Sequence, residues 1–195
     1  MAQNIEIEFK NMITKQEFET LLRFFHINEE DFFTQENHYF DTPDFQLKEQ
    51  GSALRIRRKK EQYELTLKQP HPDGLLETNE ILDALLAEEM FKTGELRNLP
   101  IRKMITNMHI DPDKLQYFGS LTTKRAETEY EEGLVVLDNS YYLNIEDFEI
   151  EYEVSNRKKG QAVFEALLTQ LSIPLRETEN KIKRFYNVKY MQQNG

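Results

Sequence analysis

Charged residues recur along this chain at a spacing of two. Glu6 and Glu8 alternate with Ile5, Ile7 and Phe9 and lead to Lys10. Arg55 and Arg57 alternate with Leu54 and Ile56, Lys68 follows Leu65 and Leu67, and Glu149, Glu151 and Glu153 alternate with Phe148, Ile150, Tyr152 and Val154. In an extended strand this spacing puts each charged set on one face. For one isolated strand that face is ordinary solvated surface, but its recurrence with complementary signs points to a charged interior. Arginine supplies paired donors that match the oxygens of an anion such as a phosphate. Carboxylates alone would repel such an anion, and a hard divalent cation can bridge the two.

Composition narrows the field. At 195 residues the chain can bury a substantial core as one domain, and with no cysteine it has neither disulfides nor thiolate metal sites. Any metal must be held by oxygen or imidazole. The four histidines, His26, His38, His71 and His109, lack metal-ligand spacing and read as surface or turn residues. Lysine and arginine total 25 against 35 aspartate and glutamate, a formal charge of −10 that argues against a broad nucleic-acid-binding surface. Arg55, Arg57, Arg58, Lys59 and Lys60 nonetheless crowd together, which fits a local anion site. No apolar run is long enough for a membrane span and the N-terminus has no signal-peptide pattern, so the expectation is a soluble, cytoplasmic protein. There is no glycine-rich phosphate loop with lysine and no nucleophile elbow around a serine.

These stripes need strands to carry them and helices to cover their apolar faces. After the opening strand at 4–10, Thr14 and Glu17 form a capping-box pattern that starts a helix over 15–25. A strand over 31–42 ends at Pro43, a short helical connection follows around Phe45 and Leu47, and strands over 52–60 and 63–68 form a hairpin. Pro70, Pro72 and Gly74 mark a break before a strand over 75–79 that contains Glu77. Apolar spacing then changes to helical from Ile81 to Met108, in two helices separated by Gly94 and Pro100, with the methionines as core filler. Strands resume over 117–129, with Thr123, Arg125 and Glu127 on one face, over 134–138, ending in Asp138, and over 148–154. Helices over 159–171 and 179–191 complete the chain, the last containing Lys181, Lys183 and Arg184.

About eight strands, mostly antiparallel by their short connections, give an α+β fold: a closed eight-stranded antiparallel β-barrel flanked by helices, with a polar charged lumen. The apolar strand faces serve the helices outside, which leaves Glu6, Glu8, Lys10, Arg55, Arg57, Lys68, Arg125, Glu149, Glu151 and Glu153 inside.

Taken in order, Glu6-x-Glu8-x-Lys10, Tyr39-Phe40-Asp41-Thr42-Pro43, Leu54-Arg55-Ile56-Arg57, Leu65-Thr66-Leu67-Lys68 and Glu149-x-Glu151 resemble the CYTH family, the triphosphate tunnel metalloenzymes, over nearly the whole chain. Within that family the sequence is most similar to small bacterial members of the Gram-positive type. The resemblance implies a single tunnel domain over residues 1–195 that hydrolyses inorganic triphosphate or a nucleoside or thiamine triphosphate with Mg²⁺ or Mn²⁺. It implies metal-side roles for Glu6, Glu8, Glu149, Glu151 and Glu153, and phosphate-binding roles for Lys10, Arg55, Arg57, Lys68, Arg125 and Lys181. Glu6, Glu8, Lys10 and Asp138 are the implied catalytic set. Relatives often carry Lys-x-Arg in the sixth strand, whereas here Thr123 precedes Arg125, and Lys124 falls on the other face of a regular strand. Two alternatives remain, a class IV-type adenylate cyclase and a polyphosphate- or nucleotide-binding module without turnover. An apolar-lumen lipid carrier would need the opposite strand register. The expected partner is a small-molecule triphosphate, with no membrane and no nucleic acid, and a homodimer stays open.

Overall fold

The structure, a computed structural model, describes residues 1–97 and 99–194, with side chains to residue 190. The elements in order are β1 (Ala2–Ile13), α1 (Lys15–Phe25), β2 (Phe33–Asp41), α2 (Gln46–Glu49), β3 (Ala53–Lys59), β4 (Gln62–His71), β5 (Gly74–Leu82), α3 (Ala84–Thr93), α4 (Pro100–Asn107), β6 (Gln116–Tyr130), β7 (Gly133–Tyr142), β8 (Ile145–Val154), α5 (Arg157–Gln170) and α6 (Lys181–Asn194). The strands close into an antiparallel barrel in the order β1-β5-β4-β3-β2-β6-β7-β8, as the alternating pattern requires. Two compact units make up the chain: Met1–Ile5 with Gln35–Leu121, and Glu6–Thr34 with the chain from Thr122 onward.

In the first unit, β2 to β5 form a meander of consecutive antiparallel pairs. Leu54, Ile56, Leu65 and Leu67 are fully buried against Ala87, Met90, Ile101 and Ile105 of α3 and α4. Truncating one of these leucines to alanine would cost about 2–5 kcal/mol. Met90 is core, with Met104 and Met108 packed against it. Asp41 acts structurally, its carboxylate accepting hydrogen bonds from the backbone N–H groups of Thr42, Leu47 and Lys48 at 2.8–3.1 Å, which seats α2.

In the second unit, α1 and α5 cover the apolar face of β1, β7 and β8 through Phe18, Leu21, Phe164 and Leu167 packed on Ile13, Val135, Leu137, Ile150 and Tyr152. The capping box forms as the sequence implies: Thr14 Oγ1 accepts from Glu17 N and Glu17 Oε2 accepts from Thr14 N. The Glu17 carboxylate is also gripped by both terminal nitrogens of Arg176 at 2.9 Å. Gly160 lets α5 lie close on β8, since a Cβ there would stand 2.6 Å from Val154 Cγ2.

Several boundaries differ from the sequence reading. β4 does not break at Pro70; it runs to His71 with Pro70 opposite Leu75, at the end of the ladder where one missing donor interrupts little. Ile81 and Leu82 belong to β5, and α3 starts after the Asp83 cap. β7 continues past Asp138 to Tyr142, so Asp138 is mid-strand. Residues 179 and 180 precede α6, whose first turn is capped by Asn180 Oδ1 accepting from Lys183 N. His38 is not a surface residue, because its ring packs 4.3 Å from Phe91.

Candidate functional site

The charged face is the one turned away from α3 and α4 in the first unit and from α1 and α5 in the second. In the second unit, strand register builds it row by row. Arg125 is opposite Asp138, Asp138 is opposite Glu149, Lys10 is opposite Glu151, and Glu8 is opposite Glu153. Arg125 forms a bidentate pair with Asp138, Nε and Nη2 each donating at 2.7 Å, and Nη2 also donates to Glu151 Oε2 at 2.9 Å. Lys124 lies on the other face, exposed, with its ammonium 3.2 Å from Glu29. A regular strand without a bulge explains why only one of the two basic residues turns inward.

Helix α6 brings two further cations. Lys181 Nζ lies 2.8 Å from Asp138 Oδ2, 2.9 Å from Glu149 Oε2 and 2.5 Å from Glu151 Oε1. Arg184 donates to Glu149 Oε2 at 2.6 Å and to Asp147 Oδ2 at 3.1 Å. Lys10 donates to the neighbouring Glu8. Burial would discharge Lys10, Arg125, Glu151, Lys181 and Arg184, but the attraction of neighbouring opposite charges wins for these five. It holds Glu151 well below the carboxylate range through Lys181, Arg125 and Lys10. It also holds Arg125 and Lys181 well above their ordinary values, through Asp138, Glu149 and Glu151.

Glu153 shifts the other way. Burial, then Glu6 and Glu151, push its carboxyl up to about 7, with Arg125 too little to offset them. Among the described residues this group sets seven carboxylates, Glu6, Glu8, Asp138, Asp147, Glu149, Glu151 and Glu153, against four cations, Lys10, Arg125, Lys181 and Arg184. Glu149 Oε1 is buried and accepts no hydrogen bond. An acidic excess with an unsatisfied buried oxygen fits a hard divalent cation. Among the described residues no three acidic or histidine side chains converge into a cage on their own.

In the first unit, Arg55, Arg57 and Lys68 line the corresponding face. Lys68 is opposite Glu77 in the register, and its ammonium lies 2.7 Å from Glu77 Oε1, with Arg55 Nη2 at 3.8 Å. Burial would raise the Glu77 carboxyl, but Lys68 and Arg55 bring it down to about 2. Arg57 Nε donates to Asn37 Oδ1 at 3.2 Å, while Arg55 Nε is buried without a hydrogen-bond partner.

The structure therefore brings Glu6, Glu8, Lys10, Arg125, Asp138, Glu149, Glu151, Glu153 and Lys181 together in one unit, and Arg55, Arg57 and Lys68 together in the other. Sequence reasoning assigned no role to Arg184, Asp147, Glu77 or Asn37. Arg184 was findable, since it follows Lys181 by three residues and so shares its helix face. The pairing of Glu77 with Lys68 depends on register across a hairpin whose turn the prolines obscured.

A closed antiparallel barrel whose strands carry this charged face defines a class, and comparison bears it out. Residues 4–186 match the CYTH domain, and the chain belongs to the CYTH family. YjbK of Bacillus subtilis (strain 168), provisionally named a triphosphatase, is 52% identical over 189 residues, 97% of this chain and 98% of YjbK. The crystal structure of a Bacillus halodurans protein, provisionally named an adenylate cyclase, has a TM-score of 0.92 at 44% identity and covers 95% of this chain and 100% of that one. HpAC1 from Hippeastrum shares the fold, with a TM-score of 0.78 at 23% identity over 94% of this chain and 96% of its own.

Proposed function

We propose that this chain acts as a single domain and is a divalent-metal-dependent triphosphatase. Its substrate is inorganic triphosphate or a related nucleoside or thiamine triphosphate. The observation that carries the reading lies in the second unit, where an excess of carboxylate around Glu6, Glu8 and Glu153 stands beside the cations Lys10, Arg125 and Lys181. A polyanion that arrives with a divalent cation needs both. The provisional name of the 52% identical YjbK supports the same reaction.

In this reading Glu6, Glu8, Glu149, Glu151 and Glu153 are the metal-side residues. Bound Mg²⁺ or Mn²⁺ would polarise phosphate oxygens and lower the pKa of a coordinated water. Arg55, Arg57, Lys68, Lys10, Arg125 and Lys181 bind phosphate oxygens and offset the charge that develops as the bond to the terminal phosphorus breaks. A water oxygen forms the new bond to that phosphorus, the bridging oxygen leaves with its electron pair on the departing phosphate chain, and the proton released by the water passes to that chain or to solvent. Asp138 holds Arg125 and Lys181 in place through both of its oxygens. The reading places the protein in the cytoplasm, with no membrane or nucleic-acid partner. Among the described residues no helix is long and apolar enough to cross a membrane.

Phosphate release from tripolyphosphate, ATP, GTP and thiamine triphosphate with Mg²⁺ or Mn²⁺ is the test. Glu6→Ala and Glu8→Ala should each abolish it, and undiminished release in both would sink the reading. The provisional name of the 44% identical Bacillus halodurans protein favours a second reading, adenylate cyclase. Cyclic AMP as the main product from ATP would select it.

A further inference from the structure

The last helix supplies a cation that no strand motif announces. Arg184 is largely buried and each of its three nitrogens donates: Nη2 to Glu149 Oε2 at 2.6 Å, Nε to Asp147 Oδ2 at 3.1 Å, and Nη1 to the carbonyl of Glu179 at 2.6 Å. Asp147 is fixed in its turn, because the Tyr142 hydroxyl donates to the same Oδ2 at 2.8 Å. The guanidinium thus spans two successive inward positions of β8 and ties both to the start of α6.

Lys181 Nζ approaches the same oxygen of Glu149 that Arg184 uses, Oε2, at 2.9 Å. Two cations converge on one carboxylate oxygen, while the other, Oε1, is buried with no hydrogen bond. A buried acceptor left unsatisfied is costly, and a metal cation is one group that satisfies a carboxylate oxygen.

We propose that Arg184 is a positioning residue: it pins Glu149 through Oε2 so that only Oε1 is offered to a metal ion, and this favours small octahedral divalent ions over calcium. The proposal rests on the metal-side reading of Glu149 given above. Mg²⁺ and ions of similar size demand near-octahedral geometry, which a carboxylate fits through one oxygen. Ca²⁺ takes six to eight oxygens and readily uses both oxygens of a carboxylate. With Oε2 saturated, Glu149 cannot chelate. Lys181 cannot enforce this alone, because its ammonium is a point charge shared among Asp138, Glu149 and Glu151, whereas the Arg184 fork fixes direction.

The test is Mn²⁺ binding to the full chain without substrate, followed by electron paramagnetic resonance, with Ca²⁺ as competitor. Arg184→Met should weaken Mn²⁺ binding by about 10- to 100-fold, the range for groups that orient a metal ligand. Ca²⁺ binding should weaken much less, so the preference for Mn²⁺ narrows about tenfold. Arg184→Lys, which keeps the charge without the fork, should narrow the preference as well. It carries the test if the methionine variant does not fold. Lys183→Met, at an exposed residue paired with Glu179, should leave both ions unchanged. A wild-type ratio in the folded Arg184 variants, together with lost Mn²⁺ binding in Glu149→Gln, overturns the proposal alone. Wild-type Mn²⁺ binding in Glu149→Gln overturns the metal-side reading of Glu149, and the proposal with it.

Discussion

Glu8 and Glu153 are direct cross-strand partners in the β1–β8 ladder, a position in which like charges destabilise a sheet. The next row toward the helix end of β1 pairs Lys10 with Glu151, so the sign changes within two residues. A barrel selected for stability alone would not place two acids opposite each other beside Glu6. The repulsion makes sense if a cation is bound there when the protein works.

That repulsion should appear as a pH dependence of stability. The Glu153 carboxyl titrates near 7 in the folded chain against an ordinary value of 4.5. The folded state therefore binds more protons across that window, and stability falls as pH rises through it. In chelator the melting temperature should drop by roughly 5 °C between pH 5 and pH 7.5, allowing roughly 2–4 °C per kcal/mol for a chain of this size. Glu153→Gln should flatten the curve, and so should Mn²⁺. A Glu153→Gln variant with the full wild-type slope would contradict this account.

Glu77 has the opposite sign. Its carboxyl is held at about 2 by Lys68 and Arg55, so its contribution is present above about pH 4.5 and is lost as pH falls toward 2. Glu77→Gln should cost about 2 kcal/mol at pH 7, less than a fully buried pair because the site is part open to water. Urea unfolding at pH 7 and pH 3 would check it, with a smaller difference from wild type expected at pH 3.

Arg125 and Lys124 should part company by a wide margin. Arg125→Met removes the bidentate partner of fully buried Asp138 and leaves it Lys181 alone among the described residues, beside Glu151, a loss of roughly 3–5 kcal/mol. Lys124→Met removes an exposed contact with Glu29 and should change stability by no more than about 0.5 kcal/mol. Thermal melts of the two variants side by side would show it.

Arg55→Lys and Arg57→Lys test the phosphate role. Lysine keeps the charge but not the planar fork, so KM for tripolyphosphate should rise about tenfold with the melting temperature nearly unchanged. Unaltered KM in both would remove these residues from the substrate site.

The legible part of the fold was whatever a local period could carry. Glu6-x-Glu8-x-Lys10 and Glu149-x-Glu151 showed their faces through a spacing of two, and Thr14 with Glu17 marked the start of α1 to the residue. Turns were harder. The β7–β8 hairpin turns through Leu143 and Asn144 at φ 46° and 67°, a left-handed pair with no glycine to announce it. Pro70 reads as a breaker because its missing donor is visible in sequence, whereas its position at the ladder's end is not. In the site, the stripes identified which residues share a strand face, but not that Lys181 and Arg184 descend on Glu149 from a helix. That depends on packing between segments distant in sequence.

The division of the chain also bears on how it folds. Strands β2 to β5 pair with their sequence neighbours, β2 with β3 across the segment that holds α2, and β3 with β4 and β4 with β5 over two-residue turns. In the second unit β1 finds β8, and residues 7–13 must wait for residues 148–154. Contacts between such distant segments form slowly. During synthesis the first meander can therefore mature before residues 7–13 meet β8. The carboxylate-rich half of the protein would come into being only when its last strand and helix arrive.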